Sequence, residues 1–119
     1  MSIRELQALA YKQSADKGFH DNEPTEPRAV LSLNAERIAL MHSELSEALE
    51  ELRAGQPVNH TYYNVSKPTK PEGVPSEMAD VVIRVLDFCG ANDIDLEAMI
   101  TEKLAYNATR GRKHGGKEF

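Results

Sequence analysis

Apolar residues recur at helical spacing through four stretches of the chain. In residues 2–17, Ile3, Leu6, Leu9 and Ala10 share one face, with Ser2 placed to cap the start and Gly18 to end it, which predicts a first helix. "HDNEPTEPR" interrupts the pattern with two prolines and reads as a connection. The strongest periodicity follows, with Ile38, Met41, Leu45, Leu49 and Leu52 spaced by three or four up to Gly55, predicting a helix over about residues 30–54. Residues 55–75, "GQPVNHTYYNVSKPTKPEGVP", hold four prolines and two glycines and read as a long loop with room for a hairpin around Val58–Val65. Ser76 is the expected cap of a third helix running to about Phe88 and ended by Gly90. Asp95 is the expected cap of a fourth, running to about Thr109. The sequence thus predicts a single all-α domain, four-helix bundle-like, with a long Pro-rich loop between the second and third helices.

The third helix carries apolar residues around well over half its circumference, more than its neighbours in so short a chain can cover, so a second subunit is expected and the fold is read as oligomeric. The chain has 119 residues, 40% hydrophobic and 28% charged, which is the composition of a globular domain. No apolar run reaches the roughly 20 residues of a membrane span, and the polar start lacks a secretory apolar region, so a cytoplasmic protein without membrane contact is expected. The net charge of -5 argues against a nucleic acid polymer as partner. The single cysteine, Cys89, falls on the apolar stripe of the third helix and reads as core packing.

Two acidic pairs change this picture. With Glu44 at zero on a helical wheel, the apolar residues of its helix lie between about 40° and 140°, with Glu47 near 300° and Glu51 near 340°. With Glu77 at zero, Met78, Val81, Val82, Val85 and Cys89 occupy the same arc and Asp80 again falls near 300°. Two helices that pack through these stripes bring Glu44, Glu47, Glu77 and Asp80 together. Four carboxylates at one place repel unless a cation lies between them. A set made only of oxygen donors suits a hard cation, Mg²⁺ or Mn²⁺. Glu50 and Glu51 have no evident site role. On the fourth helix, Lys103 and Asn107 project into the apolar arc of Leu96, Met99, Ile100 and Leu104, and Arg110 follows one turn later. A cation and an amide on that line suit an anionic ligand such as a metal-chelated phosphate chain. The tail "RGRKHGGK" is basic and glycine-rich and reads either as a solvated end or as a flap that orders on phosphates. His42 is expected to be a satisfied structural histidine. Tyr62 and Tyr63 fit either hairpin packing or base stacking, and Phe19 fits either a core anchor or the wall of a base pocket.

The motifs "ELSE" (Glu44, Glu47), "EMAD" (Glu77, Asp80) and "KLAYNATRGRKHGGK" (Lys103, Asn107, Arg110) resemble the MazG-like nucleoside triphosphate pyrophosphohydrolases of the all-α NTP pyrophosphatase superfamily, over roughly residues 36–117. The resemblance implies Mg²⁺ bound by the four acids and triphosphate contacts from Lys103, Asn107 and Arg110. It also implies hydrolysis of an NTP or dNTP to the monophosphate and pyrophosphate by a homodimer or a tetramer of paired dimers. The long proline-rich spacer between the acidic pairs departs from compact members. In the chemistry of such a site, Glu47 is the candidate to orient the attacking water or take its proton, and Arg112 and Lys113 extend the phosphate contacts. Two other readings are a phosphoribosyl-ATP pyrophosphatase-like enzyme and a non-catalytic helical dimer that binds a nucleotide or a protein partner.

Overall fold

The computed structural model describes residues 1–111; Arg112, Lys113 and the rest of the tail lie outside them. Four helices and one small sheet follow in the order α1 (Ile3–Asp16), α2 (Pro27–Arg53), β1 (Tyr62–Asn64), β2 (Lys67–Glu72), α3 (Val74–Ala91) and α4 (Leu96–Ala108). The chain is mainly helical, as the periodicity predicts.

Ser2 opens α1 with a reciprocal box: its hydroxyl accepts from the Glu5 amide at 3.0 Å, and the Glu5 carboxylate accepts from the Ser2 amide at 3.1 Å. Helix α2 begins earlier than its apolar pattern suggests. Pro27 occupies the first helical position, where its missing N–H is no loss, and Glu26 caps it by accepting from the amides of Arg28 and Ala29 at 2.9 Å each. The proline read as part of the connection is therefore the start of the helix.

The segment 55–75 is more ordered than a plain loop. Its hairpin spans Tyr62–Glu72 rather than Val58–Val65, with Tyr62 opposite Glu72 and Asn64 opposite Lys67. In a two-stranded sheet every strand is an edge, the place in a sheet where prolines such as Pro68 and Pro71 of β2 are tolerated.

Helix α3 differs from expectation at both ends. It starts at Val74 behind Gly73, whose φ of 110° and close approach to the His60 carbonyl leave no place for a Cβ. Ser76 does not cap it; its hydroxyl donates to the Pro71 carbonyl at 2.9 Å and ties the hairpin to the helix. Gly90 does not end it either. A Cβ there would stand 2.8 Å from the Tyr11 Cβ, so this glycine lets α1 lie directly on α3, and the helix continues to Ala91. Asn92 then caps it and exchanges side-chain hydrogen bonds with Asn34 of α2 at 3.1 Å in each direction.

Helices α1 and α2 both pack on α3, the most apolar helix, while α4 attaches to α1. There Arg4 forms ion pairs with Asp95 at 3.0 Å and Glu97 at 2.8 Å, and Asp95 also caps α4 by accepting from the Ala98 amide at 3.1 Å. The buried hydrophobic core consists of Ala48, Val74, Leu86 and Cys89, which bears out the packing role read for Cys89. That is a small core. All four helices leave large apolar groups in water, among them Leu9, Leu49, Val82, Ile83 and Leu104. Among the described residues no helix is long and apolar enough to cross a membrane.

Candidate metal and phosphate site

The α2–α3 packing brings together Glu44, Glu77 and Asp80. One carboxylate oxygen from each lies within 4.8 Å of the others, a spacing a single cation can bridge. Glu44 is buried against α3 and accepts from Arg84 Nε at 2.8 Å, so three acids and one guanidinium share the groove. Burial is the strongest single influence and works against the Glu44 charge, but the hydrogen bond and charge of Arg84, together with hydrogen bonds to Glu77 and Glu47, outweigh it and hold the carboxyl below its usual range. Glu77 goes the other way. Burial first, then hydrogen bonding with Glu47 and Glu44, pushes its pKa up to about 7. Asp80 is also raised, by burial and by the Glu44 charge, against the opposing pull of Arg84 and Lys70.

One oxygen of this group stands out. Glu77 Oε2 is buried and has no hydrogen-bond partner among the described residues. A buried carboxylate oxygen without a donor is expensive, and a proton or a cation is the remedy. The donors around it are carboxylate oxygens, so Glu44, Glu77 and Asp80 could hold a hard cation. Glu47 belongs to the rim. It is exposed, outside the group of three, and touches the cluster through Glu77.

The hairpin supplies what the acidic helices lack. Tyr62 donates its hydroxyl to both oxygens of Glu51, at 2.9 and 3.0 Å, which anchors β1 to α2. That contact gives Glu51 and Tyr62 a packing role, and leaves Tyr63 exposed. Lys70 of β2 pairs with Glu72 at 3.1 Å and lines, with Glu47, Glu50, Glu72 and Glu77, a cleft of about 380 Å³ beside the cluster. The Glu72 contact raises the Lys70 pKa most, and Glu77 and Asp80 add to it, so this ammonium stays charged at the mouth of the site. Lys70 is the functional candidate that sequence reasoning missed: it sits among prolines, without helical spacing, and only strand pairing carries it to the acids.

The α4 residues are not brought to the cluster. Lys103 and Arg110 lie over the ring of Tyr106, at 5.5 and 5.9 Å, and among the described residues no hydrogen bond or ion pair joins Lys103, Asn107 or Arg110 to Glu44, Glu77 or Asp80. The expectation that they project into a buried arc does not hold, because among the described residues α4 packs mainly along α1 and these side chains are exposed.

On the other side of Arg84 lies a cavity of about 390 Å³, walled by Lys17, Phe19, His20, Arg37, Arg84 and Phe88. Phe19 is 73% exposed, so it is no core anchor. His20 is held rigidly: it bonds Glu23 at 2.6 Å and Asp87 at 2.7 Å, stacks on Tyr11 at 4.7 Å, and is joined by Arg37, which also binds Glu23. Burial opposes its charge, yet the two carboxylates prevail and raise its pKa. His42, expected to be satisfied within the fold, is instead exposed and makes no hydrogen bond to any described residue.

Comparison of this chain with protein-family models, with curated proteins and with solved structures finds no match.

Proposed function

We propose that the chain hydrolyses a nucleoside or deoxynucleoside triphosphate to the monophosphate and pyrophosphate, in the cytoplasm, with Mg²⁺ or Mn²⁺ as cofactor and a second copy of itself as partner. The observation that carries this reading is the close group of Glu44, Glu77 and Asp80 with a buried, partnerless oxygen on Glu77, a place where a divalent cation would relieve both the repulsion and the missing hydrogen bond. Glu44, Glu77 and Asp80 would hold that cation, which when bound would supply charge neutralisation for phosphate oxygens and a more acidic water. Glu47, at the rim and outside the group of three, orients a water and takes its proton for attack on the α-phosphorus. Arg84 keeps Glu44 ionised and aimed into the groove. Lys70 leaves Glu72 to contact the phosphate chain, stabilising charge on the leaving pyrophosphate. Lys103, Asn107 and Arg110, followed by Arg112 and Lys113, add their contacts when α4 closes or when a second copy supplies them. The cavity beyond Arg84, with its exposed Phe19, is the place for the base.

The test is a screen of pyrophosphate release across canonical, deoxy and damaged triphosphates, with Mg²⁺, with Mn²⁺ and with chelator. The expected result is metal-dependent, stoichiometric pyrophosphate that is lost in Asp80→Asn. Absence of pyrophosphate with every triphosphate, from a protein that binds the metal, refutes the hydrolase and leaves a metal-binding helical module.

A further inference from the structure

Helix α3 is the most apolar helix, yet it carries one polar line. Glu77, Asp80, Arg84 and Asp87 follow one another at spacings of three, four and three, and on a helical wheel they fall within about 80° of one another, clear of the apolar arc. From end to end the line spans about 15 Å of helix. Its two ends face different spaces. Glu77 lines the cleft that holds Lys70, whereas Arg84, Asp87 and the adjoining Phe88 line the cavity of about 390 Å³. Asp80, between them, joins Glu77 and Glu44 in the acidic group.

Arg84 is the one cation of this line. Asp80 stands four residues before it and Asp87 three after it, spacings at which ion pairs form along a helix, but among the described residues it pairs with neither. Its partner is Glu44 of α2, reached through Nε at 2.8 Å. The two terminal nitrogens make no hydrogen bond among the described residues, and the side chain is 41% exposed. A guanidinium held at Nε alone presents its terminal pair as a fixed fork, matched to two oxygens of a phosphoryl group. The other cations of the cavity are placed differently. Glu23 and Asp87 hold His20 from both sides, and Arg37 is spent on Glu23 and on the Phe19 carbonyl. Lys17 stands at the end of α1, and among the described residues no hydrogen bond or ion pair joins it to the acidic group.

We infer that Arg84 holds the phosphoryl group attached to the nucleoside, gripping two of its oxygens with the terminal nitrogens while Nε keeps Glu44 in place. The order of groups along α3 gives the reason. A base seated in the cavity leads its sugar and first phosphoryl to Arg84, and the rest of the phosphate chain runs on past Glu44, Asp80 and Glu77 towards Lys70. The group that meets Arg84 is then the α-phosphoryl, the one under attack, and a cation fixed there meets the charge that grows on its oxygens. Because the same guanidinium bonds Glu44, one side chain sets the base cavity and the acidic group at a fixed separation.

This assignment rests on the cavity as the base site, and it is read from the binding of compounds that are not turned over, so it is decided apart from hydrolysis. Calorimetric titration of the full chain in Mg²⁺ uses uridine, cytidine, adenosine and guanosine and their 5′-monophosphates. The monophosphate of a bound nucleoside is expected to bind about tenfold more tightly than the nucleoside itself. Arg84→Met is expected to erase that ratio while leaving nucleoside affinity within about twofold, Arg84→Lys to keep part of it, and Lys17→Ala to leave it intact. A role confined to positioning Glu44 would instead lower Mn²⁺ affinity and preserve the ratio at saturating metal. Should Arg84→Met not fold, nitrogen NMR of the wild type reads the same contact: the terminal nitrogens of Arg84 are expected to show slowed rotation with the monophosphate and not with the nucleoside. Equal affinity for nucleoside and monophosphate overturns the inference, as does a ratio that survives in Arg84→Met or is lost in Lys17→Ala. Absence of binding by every nucleoside overturns it too, together with the cavity as base site, whereas a chain that binds as expected but releases no pyrophosphate refutes the hydrolase alone.

Discussion

Replacing Glu77 with Gln isolates the electrostatic strain of the acidic groove. The shift of its carboxyl from 4.5 to about 7 means that the folded chain binds more protons than the unfolded chain between those values. Stability therefore falls as pH rises through that window and stays low above it. At about 1.36 kcal/mol per pKa unit the full penalty is roughly 3 kcal/mol, and partial access of water to the groove should leave about 1–2 kcal/mol of it in practice. Glutamine keeps the shape, never ionises, and offers an amide that can donate to Glu44 and Glu47. In metal-free buffer at pH 8, Glu77→Gln should then melt above wild type, by about 4–8 °C, and its melting temperature should change far less between pH 5 and 8. Some slope remains, because Asp80 is also raised by burial and Glu44, and because the stabilisation from His20 is complete below 6.5 and is lost as pH rises through its elevated folded value. Added Mg²⁺ should raise the melting temperature of wild type and leave the variant unmoved. Thermal melts in chelator and in Mg²⁺ across this pH range measure all of it. Identical pH profiles for the two proteins, or an undiminished Mg²⁺ response in the variant, would show that Glu77 neither stores the strain nor binds the ion.

Glu44→Gln should behave differently from Glu77→Gln: it replaces the charged acceptor of Arg84 with a neutral amide oxygen, so it lowers the melting temperature by a few degrees while also abolishing turnover, as thermal melts beside a pyrophosphate assay will show. Lys70→Ala should raise KM for the triphosphate about tenfold at low ionic strength, with Lys70→Arg restoring most of it and metal affinity unchanged in both; steady-state kinetics and calorimetric Mn²⁺ titration check this. Gly90→Val should destabilise the chain by about 2 kcal/mol or more in urea unfolding, because its side chain meets Tyr11 where α1 rests on α3. His20→Gln should lose stability at pH 6 more than at pH 9, since the charged ring held by Glu23 and Asp87 is what is removed.

Local rules written in the sequence determined the helices. Ser2, Asp95 and the glycines at 18 and 55 act where their chemistry predicts, and the three-and-four spacing of Ile38 to Leu52 marked the body of α2. The same periodicity put Glu44, Glu77 and Asp80 beside two apolar stripes, but the α2 stripe of Ile38, Leu45, Leu49 and Leu52 stays exposed, and the acids meet because α2 packs through the neighbouring face of Glu44 and Ala48. What needed tertiary structure was whatever depends on a partner distant in sequence. Gly90 reads locally as a stop and acts as a contact, because α1 lies across it. Ser76 reads as a cap, but the Pro71 carbonyl takes its hydroxyl. Arg84 has no signature of its own until α2 presents Glu44, and Lys70 reaches the acids only because β1 and β2 pair and Tyr62 anchors them to Glu51. On α4 the pattern placed Lys103, Asn107 and Arg110 on one face, but periodicity fixes a face and not what the face meets, and in this chain that helix rests on α1.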